Sequence, residues 1–275
     1  MAANQDEGAP SLFSLRQEAR TIYGSDVEGY DAGRPDYPDE LYQILTSRCG
    51  LRAGASVLEI GAGTGLATRR LVAVGARVVA VEPDENMAAR LAAAVSDHVE
   101  IVAGTFEQAP LPQDRFDLAV AATSFHWVDQ AVGLPRLGRV IRPGGWAAVW
   151  WTIFDDSDRP DAFRAALGAR TGDEDPGRQR RARFQLDAES RHRDLEETAR
   201  LTDVSHHLIR WTADLDTGQL RALYASMIRI RRLPADGQRR ILDQICLLAD
   251  HDFAGRVQRP FMTAMYTGSR PDRNA

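Results

Sequence analysis

The chain contains no lysine. All 34 of its basic residues are arginine, which, with abundant alanine and glycine, reflects the codon usage of a GC-rich genome. That absence excludes Schiff-base and other lysine-centred chemistry. Cysteine is almost as scarce: Cys49 and Cys246 are too few for a disulfide framework and are expected to be reduced and buried. No run approaches the ~18 apolar residues of a membrane span, and the acidic N-terminal stretch lacks the apolar segment of a secretory signal. A cytoplasmic protein with no membrane partner is therefore expected. A large charge of one sign is also lacking, the net charge being only −5. The basic run Arg178, Arg180, Arg181 and Arg183 has no interleaved aromatics, so it reads as a solvated helix face and no nucleic-acid partner is expected. No His/Cys spacing resembles a zinc site. Asp155, Asp156 and Asp158 read as solvated loop carboxylates. His206 and His207, adjacent on a strand, face opposite ways and cannot chelate together. No metal is expected.

What is present is an ordinary globular composition, 44% hydrophobic and 27% charged, in 275 residues that suffice for one large core. Its organising stretch runs from Val57 to Glu82. Val57–Ile60 is a short apolar run that reads as a buried strand. Gly61, Gly63 and Gly65 then remove Cβ atoms where the backbone must turn sharply and let a ligand approach. Leu66, Leu71 and Val72 recur at helical spacing, and Val78–Val81 is continuous and apolar, as in a parallel strand covered on both faces. Glu82, at the tip of that strand, is placed to accept hydrogen bonds from both hydroxyls of a ribose. A dinucleotide fingerprint would read G-x-G-x-x-G. Here the third glycine comes one place early, and Glu59 stands two residues before the first. A carboxylate beside the turn repels a pyrophosphate and suits a cationic ligand.

Further strands are expected at Val99–Ala103, Phe116–Ala121 and Trp146–Ile153, and then at His206–Trp211 and Arg256–Tyr266, the last two antiparallel. Helices are expected at Leu12–Ile22, Asp39–Cys49, Pro83–Val95, Ala131–Ile141 (despite Pro135), Asp161–Ala169, near Gln219–Ile228 and Gln238–Leu248, with weak helix over Arg178–Arg200. Tyr30–Pro38 reads as a proline-stiffened loop and Arg142–Gly145 as a turn. This alternation predicts an α/β protein: a doubly wound, mostly parallel seven-stranded sheet with N-terminal helices and a helical insertion between strands 5 and 6. Ligands in such sheets sit at the carboxyl ends of the strands, where Glu59, Glu82, Thr105 and His126 converge. The expected division is a lid segment over 1–50, a cofactor-binding half over 51–153, the insertion over 154–203, and the last strands with substrate-side helices over 204–275.

The stretch Glu59-x-Gly61-x-Gly63-x-Gly65 with Glu82, followed by Phe116-Asp117, Ser124–Trp127 and Arg142–Gly145, resembles the motifs of class I S-adenosylmethionine-dependent methyltransferases. Arg34-Pro35-x-Tyr37-Pro38, His126-Trp127-x-Asp129 and Arg232–Pro234 are similar to the small-molecule branch that includes trans-aconitate methyltransferase-like proteins. The resemblance covers most of residues 23–270 and is strongest over 55–152. It implies a Rossmann-like fold and S-adenosylmethionine as cofactor, with S-adenosylhomocysteine as product. By position it implies Gly61, Gly63 and Gly65 at the methionine part, with Glu59 beside them. It also implies Glu82 at the ribose, Pro83 and Met87 beside the adenosine, Thr105, Phe106 and Glu107 at the adenine, and Ala122 and Thr123 near the methionine moiety. Tyr23, Tyr30 and Arg34 are placed to close over the cofactor, with Arg34 read either as partner of its carboxylate or as a surface arginine stiffening the loop.

His126 is the candidate general base, needed only where the acceptor must lose a proton; its other reading is a structural or cofactor contact. Tyr30, Trp127, Tyr224, Met227 and Arg229 are candidate acceptor contacts. The expected reaction is methylation of a small molecule, on oxygen before carbon or nitrogen, by a monomer or homodimer. Two alternatives stay open at this point: a cofactor-binding protein that transfers no methyl and serves as scaffold or rearrangement catalyst, and an NAD-dependent oxidoreductase.

Overall fold

A computed structural model describes residues 24–95, 99–171 and 182–272. Tyr23, the helix expected at Leu12–Ile22 and the arginines at 178, 180 and 181 lie outside the described residues. Seven strands form one sheet: β1 (Ser56–Ile60), β2 (Arg77–Glu82), β3 (Val99–Ala103), β4 (Phe116–Ala122), β5 (Ile141–Ile153), β6 (Thr202–Asp216) and β7 (Arg256–Ser269). Their order is β3-β2-β1-β4-β5-β7-β6. The first five are parallel, while β7 runs antiparallel to both of its neighbours. The order reverses between β1 and β4, and that switch point is where a crevice opens above a doubly wound sheet.

The described helices are α1 (Val27–Gly33), α2 (Asp39–Ser47), α3 (Leu66–Ala73), α4 (Glu85–Ala94), α5 (Gln130–Val140), α6 (Ala162–Thr171), α7 (Ala182–Leu186), α8 (Ala188–Arg193), α9 (Thr217–Ala225), α10 (Ile228–Arg231) and α11 (Ala235–Asp252). Period-two alternation divides the strands between two faces. Leu58, Ile60, Ala119, Ala121 and Trp151 pack with Leu134 and Leu137 of α5. Val57, Leu118, Val120 and Trp150 pack with Leu41 and Leu45 of α2 and Leu71 of α3. A third cluster joins α6, α9 and α11 to the end of β5 through Phe154, Phe163, Leu223, Ile245 and Phe261. At its centre Arg259, 1% exposed, donates to Asp161 at 2.6 Å and to Tyr224 Oη at 2.7 Å.

Three local outcomes differ from the sequence expectation, each for a tertiary reason. The turn expected at Arg142–Gly145 lies inside β5. Ile141 pairs with Phe116 and Trp146 with Leu118, so four residues bulge opposite Asp117. Asp117 anchors the bulge by accepting from Arg142 Nε at 2.7 Å and from the Ser56 N–H at 2.8 Å. β6 extends well beyond His206–Trp211 because β7 pairs with it continuously from Ser205 to Asp216, whatever the polarity of the residues. The loop expected at Tyr30–Pro38 begins as helix α1, capped by the Asp26 carboxylate on the Gly29 N–H. Gly33 lets that helix lie on α9, since a Cβ there would come within 2.4 Å of the Ala222 backbone. No helix among the described residues is long and apolar enough to cross a membrane.

Candidate functional site

The site grows from the end of β1. Gly61, Gly63 and Gly65 all have positive φ, at +68°, +59° and +89°, a region costly for any residue with a Cβ. A Cβ on Gly61 would also approach Ser124 Cβ to 2.6 Å, and one on Gly65 would reach Leu91 at 2.5 Å. The turn is thus wedged between the β4 exit and α4. Met87, on α4, lies beside Gly63, and α4 itself starts after Pro83 with Asp84 capping the Met87 N–H at 3.0 Å.

Two carboxyl groups flank this turn in different surroundings. Glu82 accepts from the Gly63 N–H at 2.7 Å through Oε2 and from the Asp84 N–H at 2.9 Å through Oε1. These two backbone bonds fix the carboxylate at the tip of β2, where a ribose diol is held in sheets of this kind. Glu59 is fully buried; its Oε2 accepts from Thr68 Oγ1 at 2.6 Å, while Oε1 has no partner among the described residues. Burial pushes the Glu59 carboxyl up to about 8, against the opposing hydrogen bond from Thr68. A buried carboxylate oxygen without a partner is a costly arrangement that a cationic ligand would relieve. The residues present therefore fit a nucleoside bearing a positive charge and do not fit a pyrophosphate.

A strap roofs the turn. Asp31 of α1 accepts from Thr64 Oγ1 at 2.8 Å and from Arg90 at 2.7 Å, and Arg69 approaches it at 3.5 Å. At the other end of α1, Asp26 pairs with Arg231 at 3.0 Å. The strap is therefore fastened to the glycine turn on one side and to the helices after β6 on the other. Beyond it, Arg34 lies between two rings, 4.8 Å from the centroid of Tyr30 and 4.7 Å from that of Phe154, with its Nε buried and unbonded and with no ion pair among the described residues.

Residues 58–149 match the family model described as a methyltransferase domain. An uncharacterized methyltransferase of Mycobacterium tuberculosis H37Rv is 35% identical over 238 residues, covering 86% of this chain and 89% of that relative. The chain belongs to the class I S-adenosylmethionine-dependent methyltransferases. Among solved structures, it resembles phosphoethanolamine N-methyltransferase 2 of Haemonchus contortus, solved with phosphomonomethylethanolamine and S-adenosylhomocysteine. There the TM-score is 0.56 at 14% identity, over 96% of this chain but only 61% of that longer one. It also resembles the cyclase SpnF, with TM-score 0.53 at 16% identity over 96% and 97% of the two chains. Likenesses at such low identity speak to the fold alone.

Four of the residues expected in the methyltransferase site have surroundings that the sequence does not suggest. Phe106 is 3% exposed and packs with the core around Val128 and Leu134, so its ring is not available to an adenine. Tyr224 is fully buried with its hydroxyl on Arg259, so it belongs to the third core cluster and not to an acceptor pocket. Arg34 is held by the rings of Tyr30 and Phe154 at the end of β5. Two strand spacings, roughly 10 Å, separate β5 from β1. His126 was expected as a base. Trp151 Nε1 donates to its Nδ1 at 2.9 Å, so the neutral ring carries its proton on Nε2 and its lone pair is engaged. While that bond stands, the Nδ1 lone pair is not open to an acceptor's proton.

The remaining members sit as follows. Trp127 stacks obliquely on His126 at 4.5 Å. Glu107 accepts from the Asp129 N–H at 2.8 Å and tethers the turn of Phe125–Trp127. Thr105 begins the turn after β3, its carbonyl accepting from Gln108 and Ala109. Ala122 ends β4 and Thr123 follows it with a φ of +56°. Met227 is half-buried against the third cluster and Arg229 is exposed on α10. The loop acids are paired with arginines, Asp155 with Arg164 and Asp158 with Arg210. Sequence reasoning missed Asp31. An aspartate in a polar stretch carries no periodic or spacing signal, and only the fold brings Thr64 and Arg90 to it.

Proposed function

We propose that this methyltransferase methylates a small-molecule acceptor, with oxygen the favoured site and carbon or nitrogen the other possibilities. S-adenosylmethionine, when bound, supplies an electrophilic methyl group on a sulfonium. Glu59 would face its cationic part, Glu82 its ribose, and Met87 and the backbone from Thr105 to Glu107 its adenosine. The observation that carries this reading is the buried, unpartnered oxygen of Glu59 beside the glycine turn at the switch point. A cation resolves it by favouring the ionised form of Glu59, which a pyrophosphate cannot do.

The chain's remaining task is alignment and exclusion of water, and positioning alone can supply roughly 7–11 kcal/mol. The strap formed by α1, latched by Asp31, supports both. A roofed crevice suits a small acceptor better than a macromolecular one. Arg34, between Tyr30 and Phe154 and without a carboxylate partner among the described residues, suits an acceptor oxygen that carries negative charge. Such an oxygen needs no base, in keeping with the engaged lone pair of His126. Calorimetry with S-adenosylhomocysteine tests the cofactor assignment, and its failure to bind would end this reading. Mass spectrometry of reactions with candidate acceptors tests transfer. A product heavier by one methylene unit is expected, and tight cofactor binding without any such product across a broad acceptor panel would favour a non-transferring role.

A further inference from the structure

Thr123 carries a backbone conformation that β-branched residues seldom adopt, with φ +56°. Such a residue persists only where its surroundings hold it, and these sites cluster where function requires them. Here the holding groups can be named. The Thr123 N–H donates to the Trp150 carbonyl at 2.7 Å, and the next residue, Ser124, donates its hydroxyl to the Ile60 carbonyl. The same Ser124 Cβ occupies the space that a side chain on Gly61 would need. The exit of β4 is thereby pressed against the glycine turn, and its first side chain is turned toward the strap.

What meets that side chain is Tyr37. It lies in the extended segment after α1, 9% exposed, with its ring edge-on to Trp150 at 5.6 Å. Tyr37 Oη stands 3.4 Å from Thr123 Oγ1, and the Thr152 N–H reaches the same Oγ1 at 3.4 Å. A hydroxyl–hydroxyl bond normally closes to about 2.7–2.8 Å, so neither oxygen saturates the other. Burial holds the phenol well above its ordinary range and therefore neutral. Thr123 follows the end of β4, Thr152 lies on β5, and β4 is the neighbour of β1, so the pair sits at the carboxyl ends of the strands beside the switch point.

We propose that Tyr37 Oη and Thr123 Oγ1 are positioning groups for the transferred methyl, two oxygens that face the sulfonium methyl and distinguish the methylated cofactor from its demethylated product. This rests on the methyltransferase reading above. The hydrogens of a methyl on positive sulfur are polarised and seek oxygen lone pairs, each contact being weak and directional. Glu59 does not make the distinction, because the ammonium it would face is present in both forms. Since Tyr37 arrives on the segment that follows α1, alignment of the methyl is tied to the strap being in place.

The experiment is titration calorimetry of wild type, Tyr37→Phe, Thr123→Ala and Thr123→Ser with S-adenosylmethionine and, separately, S-adenosylhomocysteine. Melting curves would confirm that each variant folds. Tyr37→Phe keeps the ring on Trp150 and removes only the hydroxyl. Tyr37→Phe and Thr123→Ala are each expected to weaken S-adenosylmethionine by about two- to five-fold relative to S-adenosylhomocysteine, with Thr123→Ser retaining the wild-type ratio. An unchanged ratio in Tyr37→Phe, whether both ligands weaken together or neither does, overturns the proposal even if Thr123→Ala fails to fold. A wild type that binds neither ligand would instead overturn the methyltransferase reading on which it stands.

Discussion

Glu59→Gln isolates the group on which cofactor recognition turns. In the unliganded protein burial raises the carboxyl from 4.5 to about 8, so the neutral acid is the favoured form at neutral pH. Relative to the unfolded chain, its contribution to stability is fully present below about pH 4.5 and is lost as pH rises through about 8. A difference of about three and a half pH units corresponds to about 5 kcal/mol across that window. Between pH 6 and 8 the unliganded wild type should therefore lose about 2 kcal/mol relative to Glu59→Gln, which keeps the shape but cannot ionise. A cationic ligand reverses the preference, because it must meet a carboxylate, and binding then releases the proton. Affinity for S-adenosylhomocysteine should rise about tenfold from pH 6 to pH 7 and level off above 8.

In Glu59→Gln that pH dependence should vanish, and at pH 8 the affinity should fall by about 10- to 100-fold, the loss of one charge-assisted contact. Calorimetry in two buffers of different ionisation enthalpy counts the proton directly, and chemical denaturation across the same pH range reads the stability difference. A wild-type affinity that is flat from pH 6 to 8, with no proton released, would refute the reasoning. So would a variant that binds as the wild type does.

The other expectations are narrower. Gly61→Ala forces a Cβ to within 2.6 Å of Ser124 at a φ of +68°, and denaturant unfolding should show a loss of about 1–3 kcal/mol; a neutral effect would mean that the β4 exit does not wedge the turn. Asp31→Ala removes the acceptor shared by Thr64, Arg69 and Arg90, so stopped-flow should record faster release of S-adenosylhomocysteine, by about tenfold, with little change in melting temperature. Asp161→Ala leaves Arg259 buried without the carboxylate it donates to, and unfolding should show a loss of about 3–5 kcal/mol. With an acceptor in hand, His126→Gln should leave the acidic limb of the pH–rate profile in place; its disappearance would support the base role.

Much of the cofactor half was legible because its signals are local. The continuous apolar runs at Val57–Ile60 and Val78–Val81 can be stable only as strands buried on both sides, and alternate glycines between such a strand and a helix specify a turn that a ligand can approach. Glu82 could be placed by counting, since a strand tip after a glycine turn and one helix always returns to the same edge of the sheet. The acceptor half was read less well. Tyr224 and Arg229 belong to one short stretch of sequence, yet the first faces Arg259 in the core and the second faces solvent, a distinction set by how α9 and α10 pack. Phe106 carries the same uncertainty: an aromatic after β3 can cover a ligand or fill the core, and α5 decides which.

By itself the sequence determined the chain's fold class, the position of the glycine turn and the positive character of its ligand, because each follows from residues within one strand–turn–helix unit. Only the tertiary structure decided that Glu59 Oε1 has no partner among the described residues, that Asp31 latches the strap, that Trp151 engages His126, and that Tyr37 meets Thr123. These are contacts between residues separated by tens of positions. They arise from strand order and from burial, neither of which leaves a period or a spacing in the chain to be read.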